Sequence, residues 1–224
     1  MSNSNYLKVI IGPMFSGKSS SLLTEINRYS YITNNIIVVN SILDKQRHSD
    51  MMIKDGIGFL KTHDSKTFPA IMLENLNELN TNKLYNKKYE ESSIVLIDEG
   101  QFYNDIYLFL KKELSKLGNK KFIVAGLSSD INQNPIGDII KLIPLADDII
   151  KLSAFCVYCK NGTPANFTKL LVSSQNKDES NVKVGAKELY SPCCRKHFFS
   201  KIKDWISRTR NENIRKSKHC EITT

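Results

Sequence analysis

The chain of 224 residues reads as an α/β protein: a parallel sheet flanked by helices over residues 1–155, a small cysteine-bearing unit over 156–199 and a basic tail over 200–224. Three observations carry this reading. Apolar runs of strand length alternate with helical patterns, a glycine-rich loop follows the first run, and two short-spaced Cys/His pairs begin where the alternation stops.

Taken in order, the pattern predicts a strand at 7–11 and a helix from 18 to about 31, with Leu22, Leu23 and Ile26 on one face. Strands at 36–40 and 94–98 follow, then a helix at about 105–117, a strand at 121–127, a helical stretch near 139–143 and a strand at 148–155. Strands alternating with helices indicate a parallel sheet covered on both faces. Residues 67–92 are polar and rich in Asn and Lys, with Leu73, Leu76 and Leu79 as a weak helical stripe, and read as surface. Internal repeats are absent.

Gly12, Pro13, Met14, Phe15, Ser16, Gly17, Lys18 and Ser19 form a full G-x-x-x-x-G-K-[ST] match directly after the apolar run Leu7, Val9, Ile10 and Ile11. This is the context of a phosphate-binding P-loop, and it makes the expected fold P-loop NTPase-like. A buried strand delivers the chain, the glycines let backbone N–H groups face a phosphate, and a helix N-terminus follows. Lys18 would reach the β- and γ-phosphates of ATP, and the Ser19 hydroxyl would ligate Mg²⁺.

Besides that hydroxyl, the metal needs an acid at the end of a neighbouring strand. The run Ile94 to Ile97 is apolar at every position, as a strand buried on both faces should be, and Asp98 and Glu99 follow it. Asp98 is assigned to Mg²⁺ and Glu99 to an acceptor hydroxyl as general base. The pair alone leaves open that Glu99 polarises a water instead, as in an ATPase.

The second unit opens with Cys156-Val157-Tyr158-Cys159 and ends with Cys193-Cys194-Arg195-Lys196-His197. Two chelating pairs of this kind suit a tetrahedral structural Zn²⁺, and a segment this short needs such a staple to fold. The expected ligands are Cys156, Cys159, Cys194 and His197. Cys193 in a C-x3-H arrangement is the alternative to Cys194.

The N-terminal residues offer neither a basic region nor a hydrophobic signal core, and no apolar run approaches the roughly 20 residues of a membrane span. Together with cysteines grouped as metal ligands, this predicts a cytoplasmic protein in a reducing compartment. Of the formal charge of +9, +6 falls in residues 195–224, where nine Lys and Arg face three acids. A charge confined to a tail reads as a solvated extension, so nucleic-acid binding is not inferred.

The chain resembles the type II thymidine kinases, the cellular, bacterial and large-DNA-virus kind. The matching stretches are GPMFSGKS at 12–19, THD at 62–64, LIDEGQF at 96–102, VAGL at 124–127, KLIPLADDIIKL at 141–152, CVYC at 156–159, FTKL at 167–170 and YSPCCRKH at 190–197. The resemblance implies a P-loop domain followed by a zinc-anchored lasso loop that closes over a deoxynucleoside. It also implies transfer of the ATP γ-phosphate to the 5′-hydroxyl of thymidine or deoxyuridine, a homotetramer and feedback inhibition by thymidine triphosphate. On this chain it makes Glu99 the general base and lines the nucleoside pocket with Met14, Phe102, Leu127, Ile131, Thr168, Gly185 and Tyr190.

Three positions depart from the family pattern. Ile131 stands where an aromatic faces the base, Ile136 replaces Phe in Pro-Phe-Gly, and the Asp-x-Arg-Tyr element is altered to Asp44-Lys45-Gln46-Arg47-His48, which leaves Asp44 and Arg47 minor roles near the phosphates. The competing function is a zinc-containing P-loop ATPase acting on nucleic acid. A helicase-type second set of motifs is missing, and the Gly-Gln-Phe turn after Glu99 suits enclosure of an acceptor. A nucleotide-binding protein without catalysis is a third class, against which intact Lys18, Ser19, Asp98 and Glu99 stand.

Overall fold

The computed structural model describes residues 4–43, 57–61, 67–171 and 189–200. Its frame is a seven-stranded sheet in the order β3-β4-β2-β5-β6-β1-β7. The strands are β1 (Tyr6–Ile11), β2 (Ile36–Ser41), β3 (Ile57–Lys61), β4 (Thr67–Leu73), β5 (Ile94–Ile97), β6 (Lys121–Gly126) and β7 (Asp148–Lys151). Every pairing is parallel except the antiparallel edge pair β3 and β4.

Both faces of this sheet are buried, and the near-continuous apolar strands follow from that. Alternate residues point to opposite sides, so Val9, Val95, Ile97, Phe122 and Val124 enter one core while Ile10, Ile94, Leu96, Ile123 and Ala125 enter the other. Helix α1 (Lys18–Ser30) covers the second face with Leu22, Leu23 and Ile26. Helix α4 (Ile106–Leu114) and the 3₁₀ segment Ile139–Leu145 cover the first with Ile106, Phe109, Leu110, Ile139 and Leu142. Lys8 lies on the α1 side of β1, where its ammonium is held by Glu25 and Asp148, each at 3.1 Å.

The segment 67–92 corrects the reading of a surface stretch. Its first part is β4, paired through Val39↔Ile71 and Ser41↔Leu73 to β2, with Ala70, Ile71, Met72 and Leu73 all buried. Leu76, Leu79, Tyr85 and Tyr89 then enter the first core from α2 (Glu78–Thr81), α3 (Asn86–Glu91) and the turns beside them. Leu73 and Leu76 are thus not neighbours on a helix, because the strand ends between them. The Asp105 carboxylate fixes that turn, accepting from Leu76 N–H at 3.1 Å and Asn77 N–H at 2.9 Å.

The strand expected over 148–155 divides. β7 completes the large sheet, and Ala154–Phe155 (β8) pairs antiparallel with Pro164–Ala165 (β9) in a separate ribbon. A second ribbon joins β10 (Phe167–Leu170) to β11 (Tyr190–Cys193), and the short helix α5 (Arg195–Phe199) follows. Among the described residues no helix is long and apolar enough to cross a membrane.

Candidate active site

The carboxyl ends of β1, β6 and β5 lie side by side, with Ile11 opposite Gly126 and Ile97 opposite Val124. Ligands of open α/β sheets bind at that edge. Gly12 leaves β1, Asp98 leaves β5 and Leu127 leaves β6 there, so three sequence motifs converge through strand order alone.

The phosphate loop takes its shape from local constraints. Gly12 has no room for a side chain, since a Cβ would lie 2.6 Å from Ser16 Oγ and 2.8 Å from the Leu152 carbonyl oxygen. Gly17 has φ +84°, a conformation L residues rarely adopt, and it directly precedes α1. The helix therefore begins with Lys18 and Ser19 in its first turn and without an acid there, leaving its N-terminal dipole to an anion. Lys18 is buried, and its Nζ donates to the Pro13 carbonyl at 2.9 Å, as does Ser16 Oγ at the same distance.

Ser19 Oγ donates to Asp98 Oδ2 at 2.8 Å across the end of the sheet. Two oxygens in neighbouring positions around Mg²⁺ are about 2.9 Å apart if each bond is about 2.0–2.1 Å, so this pair has the spacing and the hard donor chemistry the ion requires. Asp98 Oδ1 accepts from Glu99 N–H at 2.9 Å, and Asp98 is only 2% exposed. Glu99 itself is buried and sits at φ 50°, ψ 42°, a left-handed conformation uncommon for a residue with a side chain. Backbone strain of this kind gathers where a site requires one particular orientation.

Gln101 lies inside the LIDEGQF stretch, and nothing in its sequence context alone gives it a role. Its amide links two parts of the site: Nε2 donates to Glu99 Oε2, and Oε1 accepts from Leu127 N–H at 2.8 Å. Only the spacing of polar Gln between Glu99 and Phe102 in a buried turn could have signalled it.

The residues expected around a nucleoside are distributed as follows. Met14 N–H donates to Thr168 Oγ1 at 3.0 Å, bringing the phosphate loop and β10 into direct contact. Leu127 is buried, and Phe102 is half-buried in the 3₁₀ turn Gly100–Phe102 after Glu99. Tyr190 is buried at the start of β11, opposite Leu170. Ile131 is half-buried in a turn closed by Asp130 N–H donating to the Asn134 carbonyl at 2.9 Å. Gly185, Asp44 and Arg47 lie outside the described residues, as do the THD stretch and the basic tail.

The second cluster is built from two turns. The first holds Cys156 and Cys159, closed by Lys160 N–H donating to the Cys156 carbonyl at 3.2 Å with Lys160 at φ 53°. The second is the start of α5, which places Cys194 and His197 one turn apart on one face. The four ligand atoms lie within 4.8 Å of one another. His197 Nδ1 stands 3.5, 3.4 and 3.3 Å from the sulfurs of Cys156, Cys159 and Cys194, and Cys159 Sγ is 3.8 Å from Cys194 Sγ. Tetrahedral Zn²⁺ with the usual bond lengths separates S from S by about 3.8 Å and S from N by about 3.6 Å. The donor set fits zinc.

Thiol chemistry separates Cys194's neighbour from this group. Cys193 ends β11 opposite Phe167, is fully buried, and burial pushes its thiol up to about 12. It belongs to the small apolar core with Ala154, Cys156 and Ala165, against which Phe15 of the phosphate loop also packs. For Cys156, burial acts to raise the thiol, but hydrogen bonds from the backbone of Cys194, Cys159 and Tyr158 outweigh it and hold it at about 6. A thiolate is the form that binds metal.

Known proteins share this sequence along nearly its whole described length. A family model described as "Thymidine kinase" matches residues 5–198. The thymidine kinase of Choristoneura fumiferana entomopoxvirus is 35% identical over 84% of this chain and 94% of its own length. That of Yaba monkey tumor virus is 35% identical over 88% and 97%. Thymidine kinase a of Arabidopsis thaliana is 34% identical over 88% of this chain and 76% of its own. With its phosphate loop, acid pair and Cys/His cluster on a mainly parallel sheet, the chain belongs to the thymidine kinase family.

Proposed function

We infer that the protein transfers the γ-phosphate of ATP to the 5′-hydroxyl of thymidine, and also of deoxyuridine, giving the 5′-monophosphate. The observation that carries this reading is the meeting of Ser19 and Asp98 beside a buried, backbone-constrained Glu99 at the mouth of the phosphate loop. Backbone N–H groups of residues 15–19 and the α1 N-terminus hold the phosphates, while Lys18 stabilises charge that develops on the transferring group. Glu99 accepts the proton of the attacking 5′-hydroxyl. Ser19 and Asp98 would hold Mg²⁺, which supplies neutralisation of the phosphate oxygens when bound with ATP.

Met14, Phe102, Leu127, Ile131, Thr168, Gly185 and Tyr190 border the nucleoside in this reading, with zinc on Cys156, Cys159, Cys194 and His197 anchoring the lasso. Family membership supports a cytoplasmic homotetramer subject to feedback inhibition by thymidine triphosphate. It does not favour the nucleic-acid-dependent ATPase. Purified protein with Mg-ATP and a panel of nucleosides tests the reading, with phosphorylated nucleoside scored against free phosphate. Thymidine monophosphate is the expected product; free phosphate alone, or turnover that requires nucleic acid, would overturn it.

A further inference from the structure

We propose that Gln101 is the positioning residue of Glu99, its side-chain amide holding the carboxylate in the one orientation that faces an acceptor hydroxyl. This rests on the reading of Glu99 as general base. The amide has no freedom to serve otherwise. Leu127 N–H can only donate, and it points to Gln101 Oε1 at 2.8 Å, so Nε2 is the atom left for Glu99 Oε2. An amide flip would face two donors with each other and leave a carbonyl against a carboxylate.

The seat around this amide is built. Gln101 is 4% exposed, and a Cβ on Gly126 would stand 2.5 Å from Gln101 Oε1, so the end of β6 accommodates the side chain only because position 126 is glycine. Residues two apart do not face each other on a regular helix. Here the left-handed backbone at Glu99, followed by the tight turn in which Phe102 N–H donates to the Glu99 carbonyl at 2.9 Å, brings the two side chains together. Asp98 is the neighbouring ionisable group at this turn, and its Oδ1 is engaged by Glu99 N–H rather than by Gln101.

The test compares full-length Q101E, Q101M and E99Q with the double variants. Q101E is nearly isosteric and keeps the acceptor for Leu127 N–H while losing the donor to Glu99. For Q101E and Q101M, kcat should fall by about 10- to 100-fold, the scale of a misplaced reacting group. KM for ATP and for thymidine should stay within about threefold, since neither substrate is held by this amide. Adding either Gln101 change to E99Q should slow the enzyme no further, because residues that act as a unit are not additive.

Unchanged kcat in Q101E, or a loss that multiplies onto that of E99Q, would overturn the proposal. So would raised KM values with kcat preserved, which mark a structural role. If Q101M fails to fold, the Q101E cycle gives the same decision. Full activity in E99Q would instead remove the general-base reading itself, whereas an inactive E99Q beside a fully active Q101E would remove only the positioning role.

Discussion

Thr168 Oγ1 accepts a hydrogen bond from Met14 N–H at 3.0 Å, so β10, the ribbon strand beside the Cys/His cluster, holds a backbone donor of the phosphate loop. The next residue strengthens the seam: Phe15, at φ 65°, packs against the small core of Ala154, Cys156, Ala165 and Cys193. A residue expected only to border the nucleoside therefore also shapes the nucleotide side of the site.

Thr168→Val keeps the side-chain volume and removes the acceptor. Leaving a part-buried N–H unpaired costs about 1–3 kcal/mol. Steady-state kinetics should show KM rising for ATP as well as for thymidine, whereas Thr168→Ser should retain both. A rise confined to thymidine would mean that the hydroxyl serves the nucleoside alone.

Asp98→Asn should raise the Mg²⁺ concentration required for half-maximal activity by about tenfold or more, because a neutral amide replaces the charged oxygen beside Ser19. Titration of Mg²⁺ at saturating ATP reads this directly. An unchanged metal requirement would move the ion away from the Ser19 and Asp98 pair.

Metal analysis should find one zinc per chain, and Cys194→Ser should lose it. Structural zinc contributes folding free energy outright, so thermal unfolding of that variant should begin at the ribbons of 154–170 and 190–193 before the large sheet melts. Cys193→Ala should keep the metal, since this thiol faces the small apolar core and is held near 12 by burial. Loss of zinc from the Cys193 variant with retention in the Cys194 variant would reverse the ligand assignment.

Much of this arrangement is legible in the sequence because it rests on local patterns. The phosphate loop, the all-apolar β5 before Asp98 and the two Cys/His pairs each specify their own geometry within a few residues. The choice between Cys193 and Cys194 is different: it depends on where β11 ends and α5 starts, and strand alternation turns Cys193 into the small core. β4 is hard to read from sequence because its apolar residues include Pro69 and run into the Asn-rich stretch 75–82, while the pairing to β2 that buries it is non-local. Gln101 was equally hidden. Its role arises from a left-handed turn at Glu99 and from Leu127, 26 residues away in sequence.

Base preference is the most discriminating expectation, because it depends on which groups read the pyrimidine edge. The family resemblance implies that backbone groups of the stretch around 183–190 would face the base, in which case a carbonyl would accept from thymine N3–H and an N–H would donate to O4. Cytosine has the opposite pattern on that edge. Backbone groups cannot reverse as a Gln amide can, and sites built on hydrogen bonds reject mispaired analogues by about 10⁴ or more. Deoxyuridine keeps the thymine edge and lacks only the methyl, a loss of roughly 1–3 kcal/mol in an apolar pocket. Specificity constants should therefore place thymidine above deoxyuridine, with deoxycytidine and purine nucleosides far below. Ile131 is half-buried in the turn closed by Asp130 and Asn134, and an aromatic there would add a stacking surface worth about 0.5–1.5 kcal/mol. Ile131→Phe should lower the thymidine KM several-fold with little change in kcat. Efficient phosphorylation of deoxycytidine would mean that side chains read the base, and an unchanged KM in Ile131→Phe would place that residue away from it.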